Sequence, residues 1–182
     1  MVTAAPRHAA ILAATVIVAA CSGHQASPTS ADAQLVQATA TFGLSLNAPA
    51  ARAFPLFGPV REAEWAQGWA PSFLFPRGGV QQEGAVFTTP GVHGHSGLWV
   101  LTDYDATSGR IGYVIVSPGN MLTQIRIQVA PEGATRSRAT VTYRRTALSA
   151  ASNAQAPFPR QWEDEQRVHW EHAINAALGK HP

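Results

Sequence analysis

The chain has 182 residues, of which 46% are apolar and 13% charged, with 15 glycines, 13 prolines and a formal net charge of +2. That length suits one domain with short extensions, and the charged share is about half the usual ~25%, so the composition is that of a turn-rich globular chain. The nearest approach to a basic cluster, Arg136, Arg138, Arg144 and Arg145, is strung along one predicted strand and its turn. It lacks the basic stripe with aromatic platforms that nucleic acid requires, which excludes nucleic acid as a partner.

The first element is an address. Arg7 and His8 precede AAILAATVIVAA, an apolar run over residues 9–20 that stops at Cys21, the only cysteine in the chain. A bilayer span takes about 20 residues, so this run is too short for one and has the length of the apolar core of a secretory signal. Val18-Ala19-Ala20-Cys21 resembles the bacterial lipobox, in which a peptidase cuts before a cysteine carrying diacylglycerol. The expectation is an exported protein with a signal peptide at 1–20, anchored through acylated Cys21 to the cell membrane or outer membrane and facing the periplasm or exterior. Each buried methylene of such an anchor contributes about 0.8 kcal/mol. Residues 21–33, rich in Ser, Ala and Gly without a large apolar side chain after the cysteine, read as a flexible tether. The folded domain is expected over 34–180.

From Gln34 to Leu46 the apolar residues Val36, Ala38, Ala40, Phe42, Leu44 and Leu46 share one parity, the period of a half-buried strand. Asn47 stands where a helix cap belongs, and Ala50, Ala53, Phe54 and Phe57 then fall at helical spacing. Pro55 removes an amide donor inside that first short helix, and Gly58-Pro59 ends it and opens a second. In the second, Trp65 and Trp69 lie four apart and are expected to share a face, until Gly68 and Pro71 stop it. Five β-rich runs follow, at 84–89, 96–105, 110–117, 122–130 and 136–149, separated by short turns that make consecutive strands antiparallel neighbours. In the last of them Arg145 has the parity of the apolar face. Either a bulge turns it outward, or it enters the interior and needs a carboxylate or polar ligand there. Pro159 opens a final helix of about twenty residues, with Glu163, Asp164 and Glu165 in its first turns, a Glu163–Arg167 pair at i+4, and Gly179 and Lys180 at its end. Its apolar stripe is Trp170, Ala173, Ile174, Ala177 and Leu178.

One strand, two short helices, a run of antiparallel strands and a long last helix is the element order of the helix-grip fold. The segment FPLFGPVREAEWAQGWAPSFLFP, residues 54–76, resembles the entry segment of bacterial START-like (SRPBCC) proteins grouped with polyketide cyclases and the Bet v 1 allergens. That segment reads approximately F-x-L-F-T-P-x-G-E-x-x-W-x-x-G-W-x-P. Phe54, Leu56, Phe57, Pro59, Glu62, Trp65, Gly68, Trp69 and Pro71 match; Gly58 replaces the threonine and Arg61 the glycine, which weakens the cap of the second helix. The resemblance extends through VFTT, WVLTDYD, Tyr113 and VTYRRTALS and covers most of 34–178. It implies an α+β fold with a curved antiparallel sheet around the long C-terminal helix and two short helices plugging one end of a hydrophobic cavity. Phe54, Phe57, Trp65, Trp69, Phe73, Phe75, Trp99, Tyr113, Ile127, Tyr143, Trp170 and Ile174 are then the expected lid and cavity residues, with Arg145 as a polar cavity group. Equally, buried aromatic side chains of this kind can simply fill a core.

No catalytic set emerges from the residues. Gly94-His95-Ser96-Gly97 lacks the glycine that a G-x-S-x-G elbow needs at Leu98. The pairs His93 with His95 and His169 with His172 supply two imidazoles each, short of the three or four ligands a zinc site takes, so neither a metal nor another cofactor is expected. Asp103, Tyr104, Asp105, Tyr113 and Tyr143 are acid, base or hydrogen-bonding candidates. Three readings therefore stand: a lipid-anchored binder of a hydrophobic small molecule or lipid, a cyclase- or aromatase-type enzyme of the same fold, and an envelope interaction module with a filled core.

Overall fold

The structure, a computed structural model, describes residues 34–90 and 97–180. The signal run, Cys21 and the tether, the pair His93 and His95, and Ser96 at the start of the second expected β-rich run lie outside the described residues. Seven strands form one antiparallel sheet: β1 (Gln37–Leu46), β2 (Ser72–Phe75), β3 (Val86–Thr88), β4 (Leu98–Asp105), β5 (Arg110–Ser117), β6 (Met121–Pro131) and β7 (Ser137–Ala147). Their order is β1-β7-β6-β5-β4-β3-β2, so the chain ladders through consecutive hairpins and β7 closes back onto β1. The helix α2 (Trp162–Lys180) packs on the inner face beside β1. This is the helix-grip architecture expected from the element order.

Period-two patterning decides which face is buried. Phe42, Leu44 and Leu46 of β1 meet Ile125, Ile127 and Val129 of β6 and Ala139 and Val141 of β7 in one core, with Ile174 and Leu178 of α2 laid across them. On α2, Ile174, Ala177 and Leu178 are buried and Trp170 and Ala173 half-buried, so the predicted stripe is the packed face. The helix runs on through Gly179 to Lys180, and Glu163 does not pair with Arg167, whose partner is Asp164 at 3.8 Å.

Glu163 is engaged elsewhere. β1 is a sheet edge, and its unpaired backbone groups are met by side chains of α2. Thr41 N donates to Glu163 Oε1 at 2.6 Å, Ser45 N to Glu171 Oε2 at 2.8 Å and Asn47 N to Asn175 Oδ1 at 2.8 Å, while Asn175 Nδ2 donates to Ser45 O at 2.9 Å. An edge strand is thereby covered by the helix that the sheet grips.

Between β1 and β2 the chain makes a single α turn, α1 (Ala50–Ala53), then 3₁₀ turns at Phe54–Phe57 and Arg61–Glu64. The helical stretches are shorter than the spacing suggests because Pro55, Gly58-Pro59 and Gly68, the last at φ +79°, interrupt them. The cap position belongs to Pro49, and Asn47 instead bonds α2. β2 was not expected: its four residues lie between Pro71 and Pro76, and it pairs only with β3.

Candidate functional site

The two 3₁₀ turns form a lid over the open end of the sheet, fastened by aromatic donors. Trp65 Nε1 donates to Leu56 O and Trp69 Nε1 to Pro59 O, both at 2.7 Å, and Tyr113 on β5 donates its hydroxyl proton to Phe57 O at 2.7 Å. The turn that begins after Gly58 is capped from outside the segment. Gln81 Oε1 accepts from Val60 N and Arg61 N, both at 2.8 Å, and its Nε2 donates to Tyr104 Oη at 2.9 Å. A Cβ on Gly58 would come within 2.5 Å of that Gln81 side chain, so the glycine makes room for the residue that caps the turn after it. Because helical geometry ends at Glu64, Trp65 and Trp69 do not share a face. Trp65 lies against Trp170 of α2, with ring centroids 5.0 Å apart, and Trp69 against Trp99 at 5.3 Å.

Beneath the lid is an internal cavity of about 20 Å³, room for about one water molecule. Its wall is made of Phe57, Glu62 and Trp65 from the lid, Trp99 of β4, Tyr113 of β5, Ile125 and Ile127 of β6, Tyr143 of β7 and Trp170 of α2. A larger depression of about 540 Å³ lies on the outer face of the sheet, where Gly112 contributes no side chain between its cross-strand partners Asp103 and Arg126. It is open and lined largely by polar and charged side chains, the solvated side of the sheet rather than an enclosed site.

Seven of the expected cavity residues thus surround the space: Phe57, Trp65, Trp99, Tyr113, Ile127, Tyr143 and Trp170. The others stand back from it. Phe54 is buried against Tyr104, with centroids 5.0 Å apart, Trp69 and Phe73 pack on Phe87, and Ile174 is core. Phe75 is 60% exposed, because the register of β2 shifts between Phe73 and Phe75 at the outer edge of the sheet. Arg145 keeps the inward parity, with no bulge in β7 against either neighbour, and finds neither a carboxylate nor the cavity. Its guanidinium lies 4.2 Å from the ring centre of Phe158 and 5.5 Å from that of Trp162, an aromatic shelf at the mouth of the helix. Asp103 and Asp105 lie outside the cavity and pair with Arg110, at 3.1 and 3.0 Å, and Asp105 also accepts from the turn at Ser108. His169 and His172 occupy the exposed face of α2.

Glu62 was legible only as a motif match and is the chemically unusual residue of the wall. It is half-buried, like Arg61 beside it, and it borders the cavity. Among the described residues no hydrogen bond or ion pair reaches its carboxyl. Burial therefore acts unopposed and pushes its pKa up to about 8. Tyr113 and Tyr143 are also pushed up, first by burial and then by the Glu62 charge, while Arg145 acts on Tyr143 in the opposite sense. The site thus brings one carboxyl and two phenols together in an aromatic wall.

No family model and no curated protein matches the sequence. Among solved structures, norcoclaurine synthase from Thalictrum flavum, determined in complex with dopamine and hydroxybenzaldehyde, superposes with a TM-score of 0.62 at 12% identity, covering 81% of this chain and 90% of that one. Ara h 8.0201 gives 0.56 at 12% identity over 80% and 97%, and a protein from Thermobifida fusca 0.54 at 16% over 78% and 93%. The chain has the helix-grip fold of the Bet v 1-like proteins. At these identities the likeness is one of fold, and chemistry rests on the residues of the site.

Proposed function

We propose that the chain is an exported, lipid-anchored envelope protein that binds a hydrophobic small molecule or lipid between lid, sheet and α2. The observation that carries this reading is the joining of one carboxyl, the half-buried Glu62, to an otherwise aromatic and aliphatic wall. A core that served packing alone gains nothing from a carboxyl set in its wall. A binding site gains a polar point that orients an apolar ligand. The space admits only a water-sized group, so a larger ligand requires the lid to move. Membrane anchoring would keep the protein where apolar ligands partition.

The enzyme reading is favoured by one observation, the convergence of Glu62, Tyr113 and Tyr143 on the same cavity. A carboxyl that titrates near neutrality is suited to proton transfer. Two measurements test the proposal. Metabolic labelling with palmitate should mark the chain and be lost in Cys21→Ser. Native mass spectrometry of the full chain, taken from membranes in polymer nanodiscs, should reveal a bound small molecule. A chain that carries nothing and takes up none of a panel of apolar compounds overturns the binding reading.

A further inference from the structure

We infer that the outer face of β3, β4 and β5 is an interface between two copies of this chain, packed sheet on sheet about a twofold axis that runs along β4 and β5. The face stands apart from the cavity, and only the direction of the axis rests on the anchored reading above. An antiparallel sheet that grips a helix on one side is expected to be polar on the other. The half made of β6, β7 and β1 complies, with Gln124, Arg126, Thr142 and Thr41 on its outer side. The other half does not. Phe75, Val86, Val100 and Val114 are successive cross-strand partners in one outer rung, and Leu98, Val116 and Leu122 in the next. The residues between them, Trp99 and Leu101 of β4 and Tyr113 and Ile115 of β5, face the core, so both strands are apolar on both sides there. None of the seven outer side chains packs in or against the core, and Phe75 is 60% exposed and Leu98 40%. Strands of that pattern are covered on both faces.

The occupant follows from what surrounds the patch. Residues 22–33 of the tether carry no large apolar side chain and cannot cover it. A bilayer surface is met by protruding Trp, Phe and Leu beside a basic face, whereas the centre here is short valines and the only lysine is Lys180. Flat, β-branched faces pack instead on one another, as in two-sheet proteins. With the axis between β4 and β5, Val100 of one copy lies on Val114 of the other, and β2 comes over β7. Phe75 then meets Arg144 of the second copy, which stands in the same rung beyond Gln124 and has no hydrogen bond or ion pair among the described residues. The exposed ring and the guanidinium are complementary, and a twofold makes the contact twice. A sheet that curves around α2 turns its flanks away from the axis, which suits short side chains at the centre and long ones beside it. The same axis leaves both chains entering at one end, since Gln37 shares a rung with Leu98. Two tethers over residues 21–33, each spanning at most about 45 Å, then reach one membrane.

Photo-crosslinking of the full chain in bacterial cells tests the interface, with p-benzoylphenylalanine introduced at Leu98 or, as the control on the polar half, at Thr140. Irradiation at Leu98 should give a band of twice the chain's mass that contains peptides of this chain alone, several times stronger than the band from Thr140. Val114→Asp, combined with the Leu98 probe, should weaken that band about tenfold or more, because it sets two unpaired carboxylates at the axis. If that variant does not fold, the comparison of the two probe positions carries the test on its own. No band, equal bands from both positions, or an adduct with lipid or with another protein overturns the inference. Native mass spectrometry of the same chain separates the interface from the binding reading: a dimer without cargo sustains the interface alone, and a monomer with cargo sustains the binding reading alone.

Discussion

The two ends of the helix-grip treat their polar groups in opposite ways. Along the seam of β1 and α2, the carboxylates of Glu163 and Glu171 and the amide of Asn175 are each used up on a backbone group of the edge strand. Under the lid, Glu62 has the same chemistry as Glu171 and none of its partners. The first arrangement is what folding requires of an edge, where unpaired N–H groups invite pairing with another chain. The second costs stability and returns nothing to the fold. Where a fold spends its carboxylates on its own edge yet leaves one without a partner beside a cavity, that residue is the place to look for function.

The largest expected effect breaks that contrast at its costly end. The folded-state pKa of Glu62, about 8, lies above its ordinary value of 4.5, so between those values the unfolded chain releases a proton that the folded chain keeps. Stability must then fall as pH rises from about 4.5 to about 8 and flatten above. Each pH step of one between those values removes about 1.4 kcal/mol, a few kcal/mol in all. Glu62→Gln should remove this slope and be the more stable protein at pH 8.5. Urea denaturation at intervals across that range measures it, and parallel slopes for the two proteins would show that Glu62 is charged and satisfied.

Next in size is the fastening of the lid. Tyr113→Phe leaves the Phe57 carbonyl buried without its donor, at a cost of about 1–3 kcal/mol. Hydrogen exchange should quicken at the amides of the lid turns, such as Gly58 and Trp65, with little change in β6 and β7. A uniform increase across the sheet would mean that lid and core open together. At the seam, Glu171→Ala removes one acceptor from Ser45 N in a partly exposed setting, for which about 1 kcal/mol is expected by urea denaturation. A loss above that of Tyr113→Phe would reverse the ranking of the two ends.

The sequence was informative where periodicity and burial coincide. The alternation of β1, β6 and β7 and the stripe of α2 are read directly because one face of each element meets the core. β2 was not, since four residues bounded by prolines carry too little pattern. The aromatic wall was legible through its motif, but Phe75 was placed in it by side-chain type alone and Glu62 was only a motif match. A phenylalanine in an apolar run suggests burial, and only a register shift at an edge places it outside. A glutamate in a short turn carries no signal of what it borders, and only the folded lid sets Glu62 beside Trp99, Tyr143 and Trp170. The cap of the second turn was hidden for another reason: Gln81, which supplies it, lies 21 residues beyond Val60.

Arg145 carries the smallest expected effect and bears on the same contrast. It is the one cation on the inward face of β7, and its charge is met by ring faces and solvent rather than by a carboxylate. Arg145→Met keeps the aliphatic contact with Phe158 and Trp162 and removes the charge, so thermal denaturation should register a loss of about 0.5–1 kcal/mol, the size of a half-exposed cation–π contact. Because the guanidinium opposes the rise in the Tyr143 pKa, the variant should also titrate that phenol at higher pH, visible in ultraviolet difference spectra as a delayed phenolate band. Glu62 is not influenced by this arginine, so its slope of stability against pH should be unchanged in the variant. A changed slope would mean that the shelf and the cavity are electrostatically one site, and that the interior already holds a cation within reach of its acid.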